Sequence, residues 1–373
     1  MLLPRGFFLI LSLLLLAMKS LLSQLQLLTQ RLPDQLTEAD KAELEAIYQH
    51  CLSIIDEPEA MFGYVLTKAM RKQVSEQQSD EHLYTKKFEI PQIRLFELLI
   101  QQLPLATLTQ NCANALLVEG LKNQTHPVLM DIGIGTGMQL LNVLQLLGEQ
   151  ADTQIKQLTI VGIEPFVDAL QTAEKNFSSI KLPFQITFIP HVAFIEKMTL
   201  AEIQALLPPA YDSLVVNASF ALHHIQQAAH REAVFGHIRN LTPKAFVLSE
   251  PVSDHFEPHY ATRFQNAVKH YGLVFEVIDS LSITAQEKAA LKLFFSREID
   301  DVLGHGEEVR VEKQYATHQW SALFKKTGFT LEKPLTSFDS REMNGAILKT
   351  DLPERYAVVF KEEEITNVFW AKP

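Results

Sequence analysis

Two cysteines in 373 residues, Cys51 and Cys112, leave no disulfide framework and no zinc-finger spacing, and they point to a reducing compartment. Basic residues are the scarcer charge. With 33 Lys and Arg against 44 Asp and Glu the formal charge is −11, a surface that repels a phosphate backbone and makes direct nucleic-acid binding the weaker idea. With only 14 glycines and no repeat, the chain is neither collagen-like nor a coiled-coil array. At 47% hydrophobic it is not disordered either, and it can bury one large core or two smaller ones.

No apolar run reaches the roughly 20 residues of a membrane-spanning helix. The longest, Phe7 to Met18, follows Arg5, is broken by Ser12 and ends at Lys19 with no clear small-residue cleavage site after it. Leucines continue at Leu21, Leu22, Leu25, Leu27 and Leu28 near helical spacing, which favours one long packed helix in a cytoplasmic protein. The alternative for residues 1–20 is a signal or membrane-associated segment.

From there to about residue 125 the periodicity is helical, with start signals such as Thr37-Glu38-Ala39-Asp40. The pattern changes at Pro127. Val128-Leu129-Met130-Asp131 is a short apolar run closed by an acid, followed by glycines and a helical stretch from Met138 to Leu147. Further β-type runs at 158–163, 184–189, 213–216 and 245–248 alternate with helical intervals, the pattern of a parallel, doubly wound α/β sheet. A second helical stretch spans about 255–327. Thr330 to Leu335 follows, and then two runs around Tyr356 to Phe360 and Thr366 to Trp370, with Glu362-Glu363-Glu364 suiting a hairpin tip.

Chemistry is expected at the carboxyl ends of the strands, where open α/β sheets bind ligands. The first loop reads Asp131-Ile132-Gly133-Ile134-Gly135-Thr136-Gly137. Glycines let the backbone turn sharply and approach a ligand, and the helix that follows offers free amides. A second acid, Glu164, closes the next strand, in the position suited to accept from ribose hydroxyls. A tight turn alone would need the same glycines, but with the two acids in place the expected ligand is a nucleoside. A carboxylate at Asp131 would repel the pyrophosphate of NAD, whereas S-adenosylmethionine brings a sulfonium and an α-amino group that welcome it. The loop resembles motif I of class I S-adenosylmethionine-dependent methyltransferases. Asp212 to Ile225, with Asn217 and Leu222-His223-His224-Ile225, resembles their fourth-strand region.

A resemblance to GRAS-domain proteins, a family of plant regulators of transcription also present in bacteria, covers nearly the whole chain. Asp131, Gly135, Gly137 and Gln139 match the block around the VHIID motif. Asn217-Ala218-Ser219-Phe220 with Leu222-His223-His224 match the block before the second leucine-rich segment. Glu250, His255, Pro258, Arg263 and Phe264 follow in order, then Arg297-Glu298-Ile299, Arg310, Glu312, Trp320, Gly328 and Phe329 of the PFYRE-to-SAW region. Val128 stands where the name-giving histidine would be, Leu140 replaces the usual tryptophan, and the closing SAW tripeptide is missing, so the resemblance implies a bacterial-type member with its cofactor loop intact. It also implies a methyltransferase-like core over 126–373, with residues 1–125 and an insertion at about 255–327 forming a helical cap over the cofactor cleft.

These observations assign Asp131, Gly133, Gly135, Gly137 and Glu164 to S-adenosylmethionine, and Asn217, Glu250, His255 and Arg263 to a small-molecule acceptor. His224 and Glu250 are the candidates for catalysis. Asp254, His255, Glu257 and His259 fall within six residues, but their spacing converges only on a strand where the downstream pattern is helical, so no metal is expected. Arg310, Glu312 and Lys313 could form a substrate clamp, but their alternating charges read rather as a salt-bridged surface. The expected function is methyl transfer to a small molecule. The alternative is a GRAS-type module that keeps the fold and acts through protein partners, as plant members do.

Overall fold

The computed structural model describes residues 21–32, 35–55, 57, 60–74, 90–150, 153–334, 336–338 and 341–373, so the apolar segment 1–20 lies outside the described residues. Among the described residues no helix is long and apolar enough to cross a membrane. The described residues form two compact units, one from those within Met1–Leu103 with Ser253–Lys313, the other from those within Pro104–Val252 with Gln314–Pro373. The divisions fall at 103/104, 252/253 and 313/314, against the sequence-based expectation of 125/126 and about 255–327. Two helices account for the difference. Pro104–Leu121 packs on β-strands, and Thr317–Lys326 likewise belongs with the sheet.

The second unit is a mixed α/β fold on a mostly parallel sheet. Its first five strands are β1 Val128–Ile132, β2 Gln157–Glu164, β3 Gln185–Val192, β4 Leu214–Ser219 and β5 Ala245–Pro251. They run parallel in the order β3-β2-β1-β4-β5. β1, β2, β4 and β5 are near-continuous apolar runs because both faces of the sheet are covered. The chain moves outward from β1 to β3 and then returns to the other side of β1 as β4. Such a reversal opens a crevice at the carboxyl ends of β1 and β4.

The sheet continues antiparallel through β6 Thr330–Glu332, β7 Glu342–Met343, β8 Ala346–Lys349, β9 Tyr356–Phe360 and β10 Glu363–Lys372. β10 lies between β5 and β9, antiparallel to both, and its last residues also pair with β6. The β9–β10 turn is Lys361-Glu362 with φ of 49° and 65°, a two-residue turn that matches strand twist. Of the tip expected at Glu362–Glu364 only Glu362 lies in the turn, and Glu363 and Glu364 already pair in β10. The β7–β8 hairpin turns through Asn344-Gly345 with φ of 46° and 78°. The sequence marks this hairpin only by its Asn-Gly pair, the strongest short-range signal for one, because its strands are too short to show as apolar runs.

Helix Pro104–Leu121 begins with proline at its first position, where the missing N–H costs nothing, and is buried along most of its length against β4, β5, β9 and β10. A Cβ added at Gly120 would lie 2.9 Å from Val215, so glycine lets the helix approach the sheet.

The first unit is helical. Thr37 caps Glu38–Ser53 in a reciprocal box with Asp40, at the expected start signal. Helix Ala285–Gly304, capped the same way by Thr284 and Glu287, packs against Ala60–Val74, Gln92–Gln101 and Tyr260–Ser280. Lys72–Asp300 at 2.7 Å and Arg94–Glu287 at 2.7 Å pair charges within this unit. Leu25 and Leu28 are buried while Leu27 is exposed, as an amphipathic helix over 21–29 requires. Cys51 and Cys112 are both free and buried, and burial pushes the Cys51 thiol up to about 11.

Candidate functional site at the β1–β4 crevice

The glycine loop leaves β1 in left-handed backbone, with φ of 75° at Gly133, 54° at Gly135 and 74° at Gly137. Gly133 N–H donates to Ile163 O at 2.8 Å and Gly137 N–H to Ile134 O at 3.0 Å, which folds the loop back before helix Met138–Gly148 begins. The three glycines differ in what surrounds them. A Cβ at Gly133 would stand 2.5 Å from that of Ala221, and one at Gly137 would stand 2.7 Å from Phe177. Those two serve close packing. At Gly135 no atom lies within 4 Å of the added Cβ, so the middle of the loop faces open space.

The two acids expected at the loop stand beside it. Asp131, 3% exposed, accepts from Asn217 Nδ2 at 2.8 Å. Burial pushes its carboxyl up to about 7 against the pull of the Asn217 bond, and the nearby Glu164 charge adds to the rise. Glu164 is also buried, with Oε2 accepting from Gly135 N–H at 3.0 Å and Oε1 from Phe166 N–H at 3.3 Å. A carboxylate has about four acceptor positions, so two bonds leave capacity for hydroxyl donors. Sequence reasoning missed Asn114 as a member of the site and took Gln139 only as a motif match. Gln139 Nε2 donates to Asn114 Oδ1 at 3.1 Å, and Gln139 Oε1 accepts from Asn217 at 3.4 Å. Asn114 is one of three amides in helix Pro104–Leu121, with Gln110 and Asn111, so no local pattern singled it out.

Across the crevice the loop after β4 is held from β5. Phe220 takes φ of 53° and donates its N–H to Ser249 O at 2.8 Å. Glu250 is fully buried, and both its oxygens serve this loop, Oε1 accepting from Leu222 N–H at 2.8 Å and Oε2 meeting His223 Nδ1 at 2.5 Å. Buried Arg231 completes the clamp by donating to His223 O at 2.7 Å and Ile225 O at 2.8 Å, with its guanidinium 4.2 Å from the Tyr315 ring centre. His224 is exposed, its ring 4.1 Å from that of His223.

His255 and Arg263 lie in the other unit, bonded to their own neighbours. His255 Nε2 meets Ser253 Oγ at 2.8 Å and its ring stacks on Tyr271. Arg263 donates to the carbonyls of Val302, Glu257 and Pro258, and burial together with the Arg310 charge brings its guanidinium down to about 10. Arg310 and Lys313, read from sequence as surface charges, are instead buried, and both donate to Glu307.

The GRAS domain family model matches residues 20–372. The chain belongs to the GRAS domain family. Relatives of this GRAS chain include DELLA protein 2 of Medicago truncatula, 25% identical over 227 residues, or 58% of this chain and 42% of that protein. Scarecrow-like transcription factor PAT1 of Arabidopsis thaliana is 22% identical over 232 residues, or 58% of this chain and 47% of that one. The GRAS chain thus matches less than half the length of either. The crystal structure of SCL7 in Oryza sativa superposes with a TM-score of 0.73 at 17% identity, covering 94% of this chain and 99% of that one, which establishes the shared fold.

Proposed function

We propose that this chain is a regulatory, protein-binding module of the GRAS kind whose β1–β4 crevice binds S-adenosylmethionine as a ligand. The observation that supports a non-catalytic role is Glu250. The acid placed to act on an acceptor has both oxygens bonded to its own loop in the interior, so it is withheld from proton transfer, which needs hydrogen-bond reach to a substrate. The DELLA and Scarecrow-like relatives, one of them named a transcription factor, support the same reading. Val128 and Leu140 keep a bacterial-type member within this proposal.

The residues at the loop fit the cofactor. The open side of Gly135, the spare acceptor capacity of Glu164 and the carboxyl of Asp131 suit a ligand with ribose hydroxyls and an ammonium group. When bound, S-adenosylmethionine supplies an electrophilic methyl group. Calorimetric titration is expected to give micromolar-range binding that weakens at least about tenfold in Glu164→Ala, since 1.4 kcal/mol is a factor of ten. Unchanged binding in that variant would remove the assignment.

The second reading is enzymatic methyl transfer to a small molecule, favoured by the exposure of His224 beside the crevice. Incubation of the protein with methyl-labelled S-adenosylmethionine and a metabolite extract separates the two. The regulatory reading expects no transferred label. Label transfer that falls on the order of 10²-fold in His224→Ala establishes the enzyme with His224 as its base.

A further inference from the structure

Four side chains from four elements form one directional chain beneath the glycine loop. Asn114 accepts from Gln139, Gln139 accepts from Asn217, and Asn217 donates to Asp131. Asn114 and Asn217 are buried with Asp131, while Gln139 is half-buried. An amide carries donors on its nitrogen and acceptors on its oxygen, so the orientation of each member restricts the next. Asn114 takes the Gln139 nitrogen, which turns the Gln139 oxygen toward Asn217. That oxygen, together with Asp131, then holds the Asn217 nitrogen, while the Asn217 oxygen faces Ser219 Oγ at 3.4 Å. Were the Asn217 amide reversed, its oxygen would meet the carboxylate of Asp131 lone pair to lone pair.

We propose that Asn114 and Gln139 are positioning residues for Asp131, fixing the Asn217 amide as its standing donor so that an ordered carboxylate meets the ammonium group of the loop's ligand. The inference rests on the S-adenosylmethionine reading and deepens it. Neither residue touches the ligand in this scheme. Buried carboxylates are costly unless hydrogen-bonded, and an amide that can rotate is a poorer donor than one held at both ends. The charged group that faces Asp131 is Glu164 on β2, and its effect is repulsive. β4, helix Pro104–Leu121 and helix Met138–Gly148 face the network with the neutral side chains Asn217, Asn114 and Gln139.

The test follows the Asp131 side-chain carboxyl by carbon-13 NMR titration in the unliganded protein, together with calorimetry of S-adenosylmethionine binding across pH. The wild-type midpoint is expected near 7. In Gln139→Met, which keeps length but lacks the amide, and in Asn114→Leu, the midpoint should move upward, because the bond favouring the ionised form is loosened. The pH at which ligand affinity rises should move with it. A merely structural role would lower thermal stability and leave both midpoints in place. If either folded variant titrates like wild type, the inference is overturned while the cofactor reading stands. If wild type gives no heat with S-adenosylmethionine, the cofactor reading fails, and the carboxyl titration still decides whether the network sets Asp131.

Discussion

Replacing Glu250 by alanine leaves the Leu222 amide and the His223 ring nitrogen without their shared acceptor in the interior. Each buried group so orphaned costs about 1–3 kcal/mol, so denaturant unfolding of Glu250→Ala should show a loss of roughly 2–6 kcal/mol. Asp131 makes a prediction of opposite character. Its folded carboxyl keeps its proton to about pH 7, whereas an unfolded aspartate releases it near about 3.9. Its contribution to stability is therefore complete below about pH 3.9 and is lost as pH rises through about 7. Unfolding free energies measured from about pH 5 to 8 should fall less steeply in Asp131→Asn than in wild type. Asp131, Glu164 and Glu250 were legible because each closes an apolar strand run. Their bonding partners were not. Glu250 meets a ring 27 positions away and Asp131 an amide 86 positions away, and no local pattern encodes such a pairing.

At the scale of the loop, the three glycines should respond differently to one methyl group. Gly137→Ala combines left-handed strain of about 1–2 kcal/mol with a clash at Phe177, where overpacking adds about 1–3 kcal/mol. Gly135→Ala carries only the strain, because its side faces open space. Urea unfolding should rank Gly137→Ala as the less stable, while calorimetry should find S-adenosylmethionine binding lost in the still-folded Gly135→Ala. Strand positions were readable wherever burial on both faces produced an apolar run, as in β1, β2, β4 and β5. β7 and β8 are short, and β8 has exposed Ile347 on one face, so they lacked that signature and only their Asn-Gly turn marked them. The unit boundaries were misplaced for a related reason. Amphipathic helices show that they bury a face, and Pro104–Leu121 carries nothing to say that the face meets a sheet rather than another helix.

The whole molecule carries 11 more formal negative charges than positive ones, and that excess bears on its partners. A labelled DNA duplex at physiological salt should bind no more tightly than the non-specific range of about 10⁻⁴ to 10⁻⁶ M, as fluorescence anisotropy would read. Tighter binding would show that a basic surface is hidden in the average. Fold class was legible from the alternation of strands and helices. Sheet order beyond β5 was not, because antiparallel pairing between β5 and β10 joins segments more than a hundred residues apart.

The place of β10 between β5 and β9 also has a bearing on synthesis. Translation reaches residues 363–372 after every strand they join, so until β10 is made the strands β1–β5, the lone β6 and the strands β7–β9 are three separate parts, and β5 holds a bare edge. A bare edge pairs with whatever strand is near. A nascent chain that has exposed β5 before residues 363–372 are free to pair is therefore aggregation-prone, and the interval between the two governs how long the edge goes unprotected.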